Sequence, residues 1–337
     1  MMSETISEMW EELKKIKIDD KNSPFVRRDF KKIEGTIPIN FSVAKSILTN
    51  DVGILIDSKE ENFPKEPDIS LSENFEIKIY NSDNGNKYLW FYLKKNTGYE
   101  KQFEIICYDI IEKACKINDI TNIVQVFLDS IKNWQIFLKE KKELLKDSQI
   151  KGLFSELFFL KKILIPNIGV KKSIESWKPI DKTHDFVVGN LSVEIKSTTS
   201  SPIKSIKINS LKQLDETLVK NLYLYVLQMG ENKGSSLPEI VKELREIVKK
   251  NSVEHFYMFE NKLIEEKYYD IFEDKYKNRM FFKNNEYVFK IMDDFPRLRN
   301  CDLQELNREG IINGKYEINF SSCEAYKISM DKFIKSL

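Results

Sequence analysis

Asp185, Glu194 and Lys196 are the residues of this 337-residue chain whose types and spacing could do chemistry together. Gly189-Asn190 lies between two alternating apolar runs, the signature of a two-residue hairpin loop. That turn sets Val188 opposite Leu191, Phe186 opposite Val193 and Asp185 opposite Glu194. Strand period 2 then puts Glu194 and Lys196 on one face and sends Val193 and Ile195 to the other. Like charges directly across a strand pair are destabilising, so the two carboxylates require a proton or a cation between them. A hard divalent ion with oxygen ligands answers that requirement. Such an ion neutralises charge developing on a phosphate and lowers the pKa of a bound water, while an ammonium orients water and phosphate. The constellation suits hydrolysis of a phosphodiester.

The neighbouring elements must position these groups. Gly152 to Leu160 is apolar almost all round, so its helix, expected over about 149 to 165, should be buried with Glu156 among apolar side chains. A carboxylate there is costly without a partner, and a salt bridge to Lys151 or another lysine is one answer. A short strand is expected near Ile174 to Trp177, two strands across 183 to 198, and an apolar strand over Leu222 to Met229, giving an α/β core with a mixed sheet. An alternating run, Ile203 to Ile208, leads into a helix from about 210, where Ser210-x-x-Gln213 has the form of a capping box. Between Lys196 and Leu214 stand Lys196, Lys204, Lys207 and Lys212 with no acid. That stretch fits phosphate contacts and, equally, an ordinary solvated face. Ser197 and Thr198 read as sheet-edge residues able to hydrogen-bond phosphate. His184 should face away from the acids in a packing or hydrogen-bonding role, and Trp177 and Phe186 read as core.

The chain is long enough for two domains or one elaborated domain. An N-terminal β-rich region is expected over 1–107. It opens with a helix carrying Ile6, Met9, Trp10, Leu13 and Ile16 behind a Thr5-x-x-Glu8 capping box, and includes strands at Phe75 to Ile79 and Tyr88 to Leu93 across the Asn81 to Asn86 loop. A helical connector, 108–148, follows with Ile123, Val126, Phe127, Ile131, Trp134, Phe137 and Leu138 on one face. The chemistry falls in a core over 149–230. A C-terminal α+β extension, 231–337, begins at the helix start Ser236-Leu-Pro-Glu239 and carries strands at Tyr287 to Ile291 and Tyr316 to Phe320.

Lys plus Arg total 54 against 53 Asp plus Glu, a net charge of +1, which excludes broad, sequence-blind coating of nucleic acid. Cys107, Cys115, Cys301 and Cys323 form no C-x-x-C pair, and His184 and His255 lie far apart, so zinc-ligand spacing is absent. With no disulfide framework, no leader and no apolar run near the ~18 residues that span a bilayer, a soluble cytoplasmic protein without a membrane partner is expected. There is no Gly-rich phosphate loop, so ATP hydrolysis would have to come from a partner.

These residues resemble the PD-(D/E)xK nuclease superfamily, whose core runs helix, three strands, helix, strand, with an acid at one strand and E-x-K on the next. The resemblance implies a restriction-endonuclease-like mixed-sheet α/β core with α+β decoration and a bound Mg2+, for which Mn2+ can substitute. It assigns metal-ligand roles to Asp185 and Glu194, a further acid at the metal to Glu156, the catalytic lysine to Lys196 and a helper to Gln213, while the acid-free lysine stretch adds Lys204, Lys207 and Lys212 as expected DNA contacts. The literal Pro-Asp is missing, since Pro179 lies six residues before Asp185. E-x-K itself is common in so charged a chain: Glu12-x-Lys14, Glu140-x-Lys142, Glu265-x-Lys267 and Glu273-x-Lys275 all match, and Pro67-Asp68 with Glu76-Ile77-Lys78 fits the letters better. Context favours the later copy. Glu76 follows a Pro- and acid-rich loop without a helix bearing a buried acid, runs into another hairpin, and is assigned to the structural N-terminal sheet.

A wider likeness takes in Trp134, Gly-Leu-Phe-x-Glu-Leu over 152–157, Trp177-x-Pro179, His184-Asp185-Phe186, Glu194-Ile-Lys-Ser-Thr198, Gln213-Leu214, Ser236-Leu-Pro-Glu239 and Phe295-Pro-Arg-Leu298. The set is similar to a bacterial family known only as PD-(D/E)xK motif proteins, with Lys178 where members tend to carry Gly. Members resemble restriction-type genes found near cytosine methyltransferases and ATPases. This implies a Mg2+-dependent endodeoxyribonuclease in a bacterial restriction or anti-phage defence system. Its partners would be DNA, further copies or subunits in a homo-oligomer or multi-subunit complex, and a methyltransferase or ATPase. The competing readings are a catalytically retired nuclease-fold DNA-binding or assembly subunit, and an RNase or repair exonuclease with the same chemistry.

Overall fold

The computed structural model describes residues 4–16, 24–29, 40–59, 63, 75–81, 86–94, 99–115, 123–139, 143–178, 183–215, 220–299, 301–302 and 313–337. The chain forms two compact units, Met1–Lys142 and Glu143–Leu337.

In the first unit, α1 (Ile6–Lys15) starts at the expected capping box. The Thr5 side chain accepts from the Glu8 N–H, and the Glu8 carboxylate accepts from the Thr5 N–H at 2.8 Å. β1 (Phe25–Asp29), β2 (Asn40–Ser46), β3 (Val52–Lys59), β4 (Phe75–Asn81) and β5 (Asn86–Leu93) form an antiparallel sheet in the order β1-β2-β3-β5-β4. α2 (Glu100–Cys115) and α3 (Ile123–Lys139) complete the unit. Phe103 of α2 stacks on Trp10 at 5.4 Å and on Phe75 at 5.5 Å, and Phe127 of α3 lies 6.1 Å from Phe91. All three helices therefore cover one sheet face. Trp10 Nε1 donates to the Gly53 carbonyl at 3.0 Å, and a Cβ at residue 53 would stand 2.1 Å from the Phe91 carbonyl oxygen, so this contact between strand and strand requires glycine. The helices expected as a connector begin earlier, at Glu100, and are counted in this unit.

The second unit opens with α4 (Asp147–Phe159), which continues through a π turn, Leu160–Leu164, into α5 (Ile165–Ile168). α6 (Val170–Ser176) follows. The stretch expected as a short strand near Ile174 to Trp177 is the end of this helix, with Trp177 alone making a bridge to Phe186. Val170, Ile174 and Trp177 are all buried at helical spacing, and that period overrides a short apolar run. β6 (Phe186–Val188) and β7 (Leu191–Thr198) pair in the register the turn implied, Phe186 with Val193 and Val188 with Leu191. Gly189 has φ 57, which suits the first central position of a II′ hairpin turn.

β8 (Ser205–Ile208) leads to a single 3-10 turn, Leu211–Leu214, where a longer helix was expected; Asp215 is already extended. β9 (Asn221–Ser236), α7 (Leu237–Asn251), α8 (Val253–Glu265), β10 (Met280–Lys290), β11 (Tyr316–Asn319) and β12 (Lys327–Ile328) follow. The main sheet has the order β12-β10-β9-β7-β6, with β7 and β9 parallel and the other pairs antiparallel. β8 and β11 form a small separate sheet. This is the expected mixed-sheet α/β architecture. The segment after Gly230 is part of it, because β9 runs on to Ser236 and β10 pairs along β9.

One face of the main sheet packs Val193, Ile195, Tyr223, Tyr225 and Leu227 against α4 and α7. Phe159 of α4 sits 5.1 Å from Phe186 and 4.8 Å from Tyr225, ring to ring, which fixes α4 on the sheet. Each such fully buried side chain is worth about 1.5 to 3 kcal/mol. The other face packs Leu222, Leu224 and Val226 against Ile206, Ile208 and Leu214. Alternation along β7 therefore directs Glu194 and Lys196 away from the α4 face. Among the described residues no helix is long and apolar enough to cross a membrane.

Candidate active site

The start of β6 sets the site. Asp185 immediately precedes this three-residue strand, and its carbonyl accepts the Lys178 N–H at 2.8 Å. Its carboxylate accepts the Ile195 N–H of β7 at 2.6 Å. Glu194, 1% exposed, holds the Lys196 ammonium at 2.6 Å. Glu156 approaches on α4, and its carboxylate accepts the Trp177 indole N–H at 2.8 Å. Lys151, the partner first considered for Glu156, is engaged instead with Asp147 at 3.0 Å and Glu231 at 3.2 Å. Gln213 accepts the Asn209 N–H at 2.8 Å, while the Ser210 hydroxyl accepts the Lys212 N–H, so the turn is capped but with partners other than those of a capping box.

Glu156, Asp185, Glu194, Lys196 and Gln213 line one cavity of about 500 Å3, within the range of ligand pockets. Gly152, one turn before Glu156, is also on its wall, as are Ser197, Thr198 and Lys207. The other two lysines first grouped with Lys207, Lys204 and Lys212, are exposed and lie outside this lining. His184 is buried, and burial holds its pKa down at about 4 against the charge of Asp215. The rival motif lies on β4: Glu76 accepts the Tyr92 hydroxyl at 2.6 Å and Lys78 stands 5.4 Å over the Tyr92 ring. Its Pro67-Asp68 lies outside the described residues.

Electrostatics follow from placing three carboxyls and one ammonium together out of water. Burial, reinforced by Asp185, pushes Glu194 up to about 8 against the pull of Lys196. Burial raises Asp185, opposed by Lys196 and the Ile195 N–H, and raises Glu156 well above the usual carboxylate range, with Asp185 adding to it. Burial alone would lower Lys196, but the surrounding carboxylates outweigh it and hold the ammonium charged. The set as a whole is short of positive charge.

A family model described as "Putative PD-(D/E)XK family member (DUF4420)" matches residues 6–321. The chain belongs to this family. No curated protein and no solved structure matches it. DUF4420 membership places the chain among PD-(D/E)XK nuclease-like proteins.

PD-(D/E)XK proteins imply a divalent metal. The donor set fits one in chemistry: hard carboxylate oxygens, excess negative charge, and a free second oxygen to offer where Ile195, Lys196 and Trp177 engage the first. Among the described residues, however, no three His, Cys, Asp or Glu side chains stand at metal-ligand spacing.

Two residues that act on these acids were not legible as such. Trp177 reads as core from sequence, yet its indole is the hydrogen-bond partner of Glu156. Glu266, at the end of α8, is pushed up to about 7 by burial and by the charge of Asp185, and its own charge acts on Glu156. The sequence offered only Glu265-x-Lys267 there, a match that points at the adjacent glutamate.

Proposed function

We propose that this chain is a Mg2+-dependent endodeoxyribonuclease, with Mn2+ as a substitute ion. The observation that carries the reading is the cluster of buried Glu194 and half-buried Glu156 and Asp185 with the Lys196 ammonium on the wall of one cavity. A bound ion would supply charge neutralisation at the phosphate and a more acidic water. Asp185 and Glu194 would hold it, with Glu156 as a further acid. Lys196, held by Glu194 at 2.6 Å, is placed to orient the attacking water and to offset charge on the phosphate. Lys207 is the phosphate contact nearest this chemistry, and Gln213 is a polar helper on the same wall. A setting in bacterial restriction or anti-phage defence, in the cytoplasm and beside a methyltransferase or ATPase, belongs to this proposal and is supported by the sequence resemblance alone.

Plasmid cleavage with and without Mg2+, on methylated and unmethylated DNA, tests it. Lys196→Ala should abolish cleavage, whereas Lys78→Ala should leave it intact. Full activity in Lys196→Ala, or loss only in Lys78→Ala, would sink the assignment.

Two observations favour a second reading, a retired nuclease-fold DNA-binding or assembly subunit: Lys196 already occupies a Glu194 oxygen at 2.6 Å, and no three ligands are at metal spacing among the described residues. Calorimetric titration with Mg2+ or Mn2+ separates the two, since a retired site shows no ion binding that depends on Asp185.

A further inference from the structure

We infer that Trp177 is a positioning residue of the acid set, holding Glu156 through its indole N–H and the Asp185 segment through its backbone neighbourhood. The inference rests on the metal-dependent reading above.

Trp177 is completely buried. An indole N–H is a donor only, so the 2.8 Å bond to Glu156 Oε2 has one direction, and it leaves Oε1 as the oxygen Glu156 can offer to the cavity. The backbone of Trp177 bridges Phe186, and the next residue, Lys178, donates its N–H to the Asp185 carbonyl at 2.8 Å. Lys262 of α8 in turn donates its ammonium to the carbonyls of Ile174 and Trp177, and Phe259 packs 5.8 Å from the indole. Four segments, α4, the end of α6, the start of β6 and α8, thus meet at one residue. A buried indole needs some acceptor. Here the acceptor is an acid on the wall of the candidate site, bonded across 21 residues of sequence.

Trp177→Phe keeps an aromatic ring and removes the donor. In calorimetric titrations of the full chain with Mg2+ and Mn2+, the wild type should bind and Asp185→Asn should not; that arm reports on the metal reading by itself, and a wild type that binds no ion overturns both. Given binding, Trp177→Phe should weaken ion affinity by about ten- to a hundredfold, as loss of a hydrogen bond behind a ligand does. Combined with Glu156→Gln it should cause no further loss, because Trp177 acts through Glu156. Affinity in Trp177→Phe within about twofold of wild type, or an additive loss in the double variant, overturns the inference. Should Trp177→Phe fail to fold, the indole N–H resonance of Trp177 in the wild type serves, assigned by elimination with Trp10→Phe, Trp90→Phe and Trp134→Phe. It should shift on adding Mg2+ and stay fixed in Asp185→Asn; an unmoved resonance in the ion-bound wild type overturns the inference.

Discussion

The Asp185 carboxylate accepts the backbone N–H of Ile195 at 2.6 Å, just before β6 begins at Phe186. The side chain continues the pairing of β6 with β7 that the backbone has given up. It is thereby fixed beside Glu194, the carboxyl whose ionisation its own charge opposes.

Asp185→Asn keeps an oxygen acceptor for Ile195 and removes one of the crowded charges. The metal-free variant should be more stable than wild type by about 1 kcal/mol, a rise of about 2 to 4 °C in Tm for a unit of this size. Its ion binding and cleavage should be lost. A scan in chelator checks this, and a lowered midpoint with ion binding intact would count against the crowding argument.

The same crowding sets a pH dependence. The Glu194 carboxyl is pushed up to about 8, far above its ordinary value, by burial and by Asp185. The fold therefore keeps a proton that the unfolded chain releases from about pH 4.5 upward. That contribution to stability is complete below about pH 4.5 and is lost as pH rises through about 8. Glu156 and Asp185, raised mainly by burial, act in the same direction. In chelator the thermal midpoint should fall across this window, and Glu194→Gln should flatten the slope. Ion binding should tighten across the same window, because the ion displaces the proton. Calorimetry in two buffers of different ionisation enthalpy measures the released proton; none near pH 7 would refute the assignment of a protonated carboxyl to the site.

What could be read from the sequence was local. Gly189-Asn190 between alternating runs fixed a register that brought Asp185 to Glu194, and Thr5-x-x-Glu8 and Ser236-x-x-Glu239 marked helix starts. The Ile174 to Trp177 segment misled because four residues cannot separate a strand from the end of a helix. The bond from Trp177 to Glu156 and the approach of Glu266 depend on how α4, α6 and α8 pack, which no spacing encodes. Lys204, Lys207 and Lys212 were indistinguishable by composition. Only the fold shows that Lys196 and Lys207 reach the cavity while Lys204 and Lys212 do not.

Lys196 has a structural cost attached to its removal. Its ammonium is the partner of a glutamate that is 1% exposed, so Lys196→Ala leaves Glu194 buried without a cation. Above about pH 8, where the wild-type Glu194 is ionised against Lys196, the variant must bury an unpaired charge or hold a proton against the pH, and it should lose stability progressively as the pH rises. Near pH 6 the retained proton should make the loss small. Denaturant titrations at the two pH values test this, and an equal loss at both would mean that packing of the lysine stem, rather than charge, is responsible.

The cavity also ranks the lysines. All three lysines are exposed, but only Lys207 lies on the wall shared with Lys196 and Gln213. If phosphate is bound at this wall, Lys207→Ala should weaken DNA binding across sequences and lower the slope of log affinity against log salt by about 1. Lys204→Ala and Lys212→Ala should change that slope much less, because a lysine without a defined phosphate contact releases no particular counterion. Binding isotherms on an Asp185→Asn background, where the DNA stays uncut, measure all three at several salt concentrations. Equal slope changes for the three would replace a contact at the cavity with a diffuse basic surface, and would move the DNA path off the wall that carries Lys196.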